Sequence, residues 1–154
     1  SRPMTSAFHP DSWIEPESCL TLPGDIDMKI RLCSILVSDQ EEALRFYTEI
    51  LGFVKKEDLP MGEFRWLTVI SPEGPEELEL ALEPNVYPAA EAYQKALFEA
   101  GIPLTAFASD DIQEEYELLK GRGVVFRSEP EEMGPATVAV FEDTSGNLIQ
   151  IYQV

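Results

Sequence analysis

Apolar and polar residues alternate along several short stretches of the chain, in the period-two pattern of β-strands. Residues 30–37 form the first of these stretches. A helix is predicted after it, because Asp39 and Glu42 form a capping box and apolar residues then recur at helical spacing until Gly52. Three more strands follow, separated by turn residues, over residues 53–57, 63–70 and 77–83. The first half of the chain therefore predicts one strand, one helix and three strands.

The same order of elements begins again in the second half. An amphipathic stretch over residues 88–100 predicts a linking helix, and Asp111 caps a further helix that ends at Gly121. Strands are predicted on either side of that second helix, over residues 104–109, 124–127, 137–142 and 148–152. Leu32 and Leu104 occupy the same position relative to the two helix caps, 72 residues apart. Two copies of one unit are therefore expected.

These patterns divide the 154 residues into an arm and one domain. Residues 1–27 are rich in proline and predict an irregular N-terminal arm. The domain spans 28–154, with modules over about 28–84 and 102–154. The two cysteines, Cys19 and Cys33, form no metal-binding or disulfide pattern, and no signal peptide or membrane span is indicated. A cytoplasmic protein is expected.

Charge excludes one class of partner. The chain is acidic, with 11 basic and 29 acidic side chains and a formal net charge of −18. Phosphate polyanions would be repelled, and no basic stripe opposes this, so nucleic acid is not an expected partner. An acidic surface also keeps a protein soluble, and any small ligand is more readily cationic than anionic.

Several short motifs resemble one known family. They are the run from Leu36 to Asp39 with Phe46-Tyr47 and Leu51-Gly52-Phe53, its second copy from Ser109 to Ile112 with Tyr116, and the closing run from Glu142 to Gln150. The chain resembles the vicinal oxygen chelate superfamily, which contains glyoxalase I, extradiol dioxygenases and the fosfomycin and bleomycin resistance proteins. The resemblance implies an α+β fold of two βαβββ modules whose mixed sheets curl into a cup with helices outside. It also implies a homodimer.

In metal-using members of that superfamily, four inward side chains bind a divalent ion. The corresponding positions here are Leu32, Glu79, Leu104 and Gln150, although a slip of register would put Leu80 or Ala81 in place of Glu79. Leucine has no donor atom and glutamine is a weak neutral ligand, so no metal ligand set and no cofactor are expected. A dioxygenase is excluded on this basis, while weak binding of a divalent metal is not.

Alternation along the strands assigns residues to the two faces of each sheet. Cys33 is assigned to the face toward the helices, where a buried and inert thiol is expected. The same face takes Leu67, Val69, Leu78, Leu80, Leu82, Thr105 and Phe107. The predicted ligand-binding residues of the cup are Leu32, Ser34, Trp66, Thr68, Glu79, Leu104, Ala106, Leu148, Gln150 and Tyr152.

The functional expectation is a protein that binds a small organic molecule in the cup, like the bleomycin resistance proteins, which act by sequestration. A cationic or aromatic ligand is favoured; Trp66 could stack on it, although packing in the core is the more common fate of a tryptophan. The alternative is a glyoxalase-like lyase or isomerase with Glu79 as general base and Gln150 orienting the substrate, since an enclosed carboxylate needs either a proton or a cationic partner. A third hypothesis is a filled cup and a protein that acts through its dimer surface. Pairing of the modules within one chain or across a dimer stays open.

Overall fold

The computed structural model describes Gly24 and residues 26–154, so most of the predicted arm lies outside the described residues. The first module contains β1 (Leu32–Val37), α1 (Gln40–Arg45), a π-helical turn (Phe46–Ile50), β2 (Val54–Met61), β3 (Phe64–Ile70) and β4 (Glu79–Pro84). The linking helix is α2 (Pro88–Glu99). The second module contains β5 (Thr105–Ala108), α3 (Ile112–Gly121), β6 (Glu131–Met133), β7 (Ala136–Glu142) and β8 (Leu148–Gln153). Across the described part of the chain, no helix has the length and apolar character that a membrane span requires.

The strands form two sheets with the same topology, in the orders β1-β4-β3-β2 and β5-β8-β7-β6. In each sheet the first strand runs parallel to the last, and the remaining neighbours are antiparallel. This confirms the predicted α+β fold of two βαβββ modules with open mixed sheets. Between the two strands of each parallel pair, the chain forms a helix and two further strands, and the helix packs on its own sheet.

One hydrophobic core contains residues from both modules. The rings of Phe46 and Phe141, one from each module, lie with centroids 6.2 Å apart. Leu67, Val69 and Leu82 are buried in this core, as their assigned face predicts, and Leu80 and Phe107 pack against it. Leu78 does not, since β4 begins only at Glu79 and leaves Leu78 exposed.

The prediction of a strand over residues 124–127 is wrong in extent. Only Phe126 makes a bridge there, to Phe141, and the regular edge strand is β6 at residues 131–133. The ladder is interrupted because the Ser128 side chain, rather than a backbone carbonyl, accepts the hydrogen bond from Val140 N–H, and because Pro130 has no N–H to donate.

The expectation of a buried Cys33 is also wrong, because this residue is exposed. The first three residues of β1 are exposed, and burial begins at Ile35. The helix layer therefore covers only the second half of that strand. The alternation of residues along β1 identified the face that packs on the helices, but not the residue at which burial of that face begins.

The helix α1, which Asp39 caps, widens into a π-helix at Phe46. The Thr48 hydroxyl donates a 2.7 Å hydrogen bond to the Leu44 carbonyl and so occupies an acceptor of the regular helix. The wider turn buries both Phe46 and Tyr47. From this turn, the Tyr47 hydroxyl donates a 2.7 Å hydrogen bond to Asp143 of the second module.

Candidate functional site

A pocket of about 420 Å³ lies beside β3, β4 and the first turn of α2. Its lining is largely apolar and aromatic, with one acidic and one basic side chain. The residues that line it are Leu36, Met61, Phe64, Arg65, Trp66, Leu67, Ala81, Leu82, Glu83, Pro84, Val86, Tyr87 and Ala90. We call this the aromatic pocket. Its volume falls within the range of small-molecule sites, about 300–1,000 Å³.

Trp66 and Glu83 supply the distinctive chemistry of the aromatic pocket. Both are half-buried, and both alternate with core residues, so their side chains lie on the sheet face opposite the core. The Ser34 hydroxyl donates a 3.0 Å hydrogen bond to Glu83 Oε1. A pocket lined by both an indole and a carboxylate is suited to a flat ligand that carries positive charge.

Arg65, the basic residue of the lining, forms ion pairs with two neighbouring carboxylates. Its Nε and Nη2 donate to the two carboxylate oxygens of Asp58, at 2.8 and 2.7 Å, and its Nη1 donates to Glu41 at 2.6 Å. The hydrogen bonds from Arg65, followed by that from Lys55, lower the pKa of Asp58 from 3.8 to about 2. Arg65 therefore does not leave the pocket with a free positive charge.

The predicted site residues of the N-terminal module lie together on its sheet. Leu32 pairs with Glu79, Ser34 with Ala81, and Thr68 with the same Ala81. Of the residues that the sequence assigned to the ligand site in this module, only Trp66 lines the aromatic pocket.

Glu79 is bound to two neighbouring side chains. Its Oε1 accepts a 2.7 Å hydrogen bond from the Thr68 hydroxyl, and its Oε2 lies 3.8 Å from Lys56 Nζ. Of the two alternatives expected for an enclosed carboxylate, a proton or a cationic partner, the structure shows a cationic partner, Lys56. Because Glu79 is outside the lining of the aromatic pocket, a general-base role stays a prediction without support from that pocket.

The predicted site residues of the C-terminal module lie on the other sheet. Ala106 pairs with Gln150 and Ala108 with Tyr152, while Leu104 N–H donates to the Leu148 carbonyl. Leu148 is buried, whereas Gln150 and Tyr152 are half-buried. None of these residues lines the aromatic pocket. The structure therefore brings the predicted site together as two separate halves.

The strand registers identify which residue of β4 corresponds to Gln150. Ser34 and Ala106 are equivalent in the repeat, and their partners are Ala81 and Gln150. Ala81, the alternative assignment, is thus the counterpart of Gln150. Leu32, Ala81 and Leu104 have no donor atoms, so this set does not fit the metal of the superfamily. Within the described residues, no three His, Cys, Asp or Glu side chains are grouped closely enough to hold an ion.

Sequence reasoning missed most of the aromatic pocket, including Phe64, Glu83 and Tyr87. One signal was available in the sequence, since Phe64 and Trp66 are spaced by two and share a strand face. Val86, Tyr87 and Ala90 could not be found that way, because they come from the segment leading into α2 and from α2 itself.

A second feature, the buried polar cluster, joins the two modules and α2. It consists of Tyr47, Gln94, Asp143, Ser145 and Asn147. Asp143 is fully buried and accepts four hydrogen bonds, from the Tyr47 hydroxyl, Ser145 N–H, Asn147 N–H and Asn147 Nδ2. Burial, and then the charge and hydrogen bond of Asp143, raise the pKa of Tyr47 well above its ordinary value. The hydroxyl therefore stays protonated and keeps its donor.

Gln94 connects this cluster to the linking helix. Its Nε2 lies within 3.0 Å of the Leu36 carbonyl, the Ser145 carbonyl and Asn147 Oδ1, and its Oε1 accepts from Asn85. Gly146 has φ +94°, and a Cβ there would lie 3.0 Å from Gln94 Nε2. Glycine at this position is required both by the backbone and by the approach of Gln94. These contacts join α2 to both modules, and none of the five side chains of the cluster lines the aromatic pocket.

Comparison with known proteins identifies close relatives. The chain is 59% identical over 126 residues to the uncharacterized protein YurT of Bacillus subtilis, covering 82% of this chain and 99% of that protein. The chain is 32% identical in sequence to UcmS2, and its fold matches the crystal structure of UcmS2 with a TM-score of 0.71. The match covers 82% of this chain and 98% of UcmS2. TnmS3, an antibiotic binding protein from Streptomyces sp. CB03234, is 30% identical, with a TM-score of 0.66 and coverage of 84% and 98%.

A sequence model of one family matches residues 29–151, which include both modules and the linking helix. The match agrees with the repeated strand order and with the solved structures that the chain resembles. The chain belongs to the glyoxalase/bleomycin resistance protein/dioxygenase superfamily.

Proposed function

We propose that this protein binds a small aromatic molecule with a positive charge in the aromatic pocket, and acts by sequestering it. The observation that carries the proposal is the placement of Trp66 and Glu83 in one pocket of about 420 Å³. Stacking on the indole would supply affinity, and the carboxylate would select for positive charge. This is a binding function that needs no metal.

The charges around the pocket support a cationic ligand. Glu83 accepts a hydrogen bond from Ser34 but makes no salt bridge with any Lys, Arg or His of the described residues. Arg65 is paired with Asp58 and Glu41, so its charge is compensated. The net charge of −18 adds a favourable long-range field for cations.

Similarity supports binding as the kind of function. TnmS3, at 30% identity over most of both chains, is an antibiotic binding protein. Its likeness favours a drug-like organic ligand for the present chain as well. The identity of that ligand is a question of the pocket lining rather than of the fold, because one fold can carry many functions.

The two half-sites suggest how a homodimer would complete a cup. Within the described residues, β1 and β5 each pair on one side only, with β4 and β8. A second copy whose β5 edge met this β1 edge would bring Leu104 and Gln150 toward Leu32 and Glu79, and would cover two open strand edges. The expected mass in sedimentation equilibrium is that of a dimer, and a strict monomer would exclude this assembly.

Fluorescence titration with ethidium, a fused-ring aromatic cation, tests the proposed function. We expect saturable binding of ethidium, and binding at least about tenfold weaker for the aromatic anion anilinonaphthalene sulfonate. Trp66→Ala should weaken ethidium binding about tenfold and Glu83→Gln about fivefold. Ser34→Ala, which removes only the hydrogen bond to Glu83, should have a smaller effect than either.

Two variants serve as matched controls. Tyr93→Ala removes an exposed aromatic ring of α2 that does not line the pocket, and Glu115→Gln removes one exposed negative charge on α3. Both should bind ethidium like the unmodified protein. If Glu115→Gln weakens binding as much as Glu83→Gln, the net charge alone attracts the cation and the proposed site is wrong.

A further inference from the structure

The pairing of β3 with β4 stops before either strand ends. Backbone pairs join these strands only at Thr68 with Ala81 and at Val69 with Leu80. On their other sides the same strands stay paired to the end, since Arg65 still pairs with Pro60 of β2 and Pro84 with Val37 of β1. The sheet is therefore split along its middle between residues 65–67 of β3 and 82–84 of β4.

The side chain of Gln40 fills this split. Its Nε2 donates to the Arg65 carbonyl at 2.7 Å and to the Leu82 carbonyl at 2.9 Å, and its Oε1 accepts from Arg65 N–H at 3.0 Å. One amide thus hydrogen-bonds to the backbone of both strands. These hydrogen bonds take the place of the β3–β4 backbone hydrogen bonds that are absent here. They matter because a backbone N–H or C=O group shielded from water needs a hydrogen-bond partner.

Pro84 removes one of the hydrogen bonds with which β3 and β4 could pair along the split. Continuing the register that pairs Thr68 with Ala81 would put Pro84 opposite Arg65. Proline has no N–H, so it cannot donate to the Arg65 carbonyl. The Gln40 amide supplies that donor, and it also supplies an acceptor for the Arg65 N–H.

The split and the aromatic pocket occupy the same part of the sheet. Arg65, Trp66 and Leu67 line the pocket from β3, and Leu82, Glu83 and Pro84 line it from β4. We propose that Gln40 is a positioning residue which sets the separation of β3 and β4, and so the distance between Trp66 and Glu83 in the pocket. Its role in affinity rests on the proposed function, whereas its role in the spacing of the strands does not.

The C-terminal module shows the same strands without the inserted amide. The residue after the helix cap is Ile112 in place of Gln40, and it is buried. There β7 and β8 pair without interruption from Thr137 with Gln153 to Glu142 with Leu148. The inserted amide and the split in the sheet occur together in one module and are both missing from its repeat.

Two substitutions of Gln40 separate its hydrogen bonds. Gln40→Met keeps the length of the side chain but removes all three bonds, while Gln40→Glu keeps the acceptor for Arg65 N–H and loses the donor to both carbonyls. In Gln40→Met we expect faster hydrogen exchange of the Arg65 amide, and in Gln40→Glu we expect retained protection of that amide. Both variants should bind ethidium about tenfold more weakly.

The controls distinguish positioning from stability. Gln113→Met changes an exposed glutamine at the start of α3 and should leave affinity and exchange unchanged. Leu119→Ala removes a core side chain of α3 and should lower stability while keeping ethidium affinity. If Leu119→Ala loses affinity as Gln40→Met does, loss of stability explains both results and the positioning role is overturned.

The outcomes for Gln40 and for the pocket can be told apart. If Trp66→Ala and Glu83→Gln lose affinity but both Gln40 variants keep it, the proposed function stands and the positioning role is wrong. If the unmodified protein does not bind ethidium, the proposed function fails. The positioning role is then decided by Arg65 amide exchange, together with acrylamide quenching of Trp66 in a Trp13→Phe background. Unchanged exchange and quenching in Gln40→Met would overturn it.

Discussion

The two modules have the same strand order but use the connection between their last two strands differently. In the C-terminal module, residues 143–147 form a short loop whose Asp143, Ser145 and Asn147 are buried. In the N-terminal module the equivalent connection, residues 71–78, is longer and mostly exposed. The C-terminal loop bonds to α2 and to the first module, and the N-terminal loop does not make such a cluster.

The pairing between the same strands, β3 with β4 and β7 with β8, also differs between the modules. By register, Trp66 and Phe64 of β3 correspond to Val138 and Ala136 of β7. The N-terminal module thus has large aromatic side chains beside a split sheet, while the C-terminal module has small ones beside a continuous sheet. The loop of the C-terminal module thus joins parts of the chain, whereas the N-terminal module carries most of the aromatic pocket.

Asp143→Ala tests the structural half of this comparison and should have the largest effect. The substitution leaves four donors without a partner, in a place that water does not reach. We expect the free energy of unfolding, measured by urea denaturation, to fall by about 3–5 kcal/mol. Ethidium affinity of the fraction that stays folded should change little.

The control for this prediction is Glu73→Ala in the exposed N-terminal connection, which should cost less than about 0.5 kcal/mol. The loss in free energy of unfolding for Asp143→Asn should lie between those of Asp143→Ala and Glu73→Ala. The amide oxygen of asparagine can accept from only two of the four donors, and its NH₂ group would face the other two. An Asp143→Asn protein as stable as the unmodified one would show that the carboxylate is not needed, and the contrast between the loops would lose its physical basis.

Gly146→Ala should have the next largest effect. The added Cβ meets both a left-handed backbone and the Gln94 amide, so we expect a loss of about 2–3 kcal/mol in the free energy of unfolding. Gly62→Ala, in the β2–β3 hairpin of the other module, has φ +65° but nothing within 4 Å of its Cβ. It should lose only the backbone part, about 1 kcal/mol. Equal losses at both sites would mean that the approach of Gln94 contributes nothing.

Much of this architecture follows from the sequence alone. Strand alternation and helix caps recur at a fixed separation, so the two modules and the core-facing residues of β3 were predictable from local patterns. Asp39 and Asp111 cap their helices as predicted, through hydrogen bonds to Glu42 N–H and Glu114 N–H. These features depend on neighbours in the chain, which a single sequence displays directly.

The candidate site was harder to predict because it depends on contacts between distant residues. Gln40 has the pattern of a solvated residue in a first helical turn, and its hydrogen-bond partners, Arg65 and Leu82, lie far from it in the sequence. The Asp-Thr-Ser-Gly-Asn run has the composition of an exposed turn, and its burial depends on Gln94 and Tyr47. Polar residues such as Gln, Asp, Ser and Asn form hydrogen bonds with backbone groups both on exposed turns and in the protein interior. Composition therefore does not distinguish an exposed turn from a buried one.

The smallest effect is expected from acid, and it concerns the N-terminal module. The folded pKa of Asp58, about 2, is below its ordinary value of 3.8 because of Arg65 and then Lys55. A carboxyl whose pKa is lower in the folded state contributes stability that is fully present above its unfolded pKa. That stability is lost as the pH falls through its folded pKa.

The difference in free energy of unfolding between the unmodified protein and Asp58→Asn should therefore be constant from about pH 7 to 5 and shrink between about pH 4 and 2. The matched control is the same Asp58→Asn comparison in an Arg65→Met background, where the hydrogen bonds that lower the pKa of Asp58 most are absent, so the narrowing should be smaller. If the difference narrows equally in both backgrounds, the pairing of Asp58 with Arg65 does not set the response of the pocket-bearing module to acid.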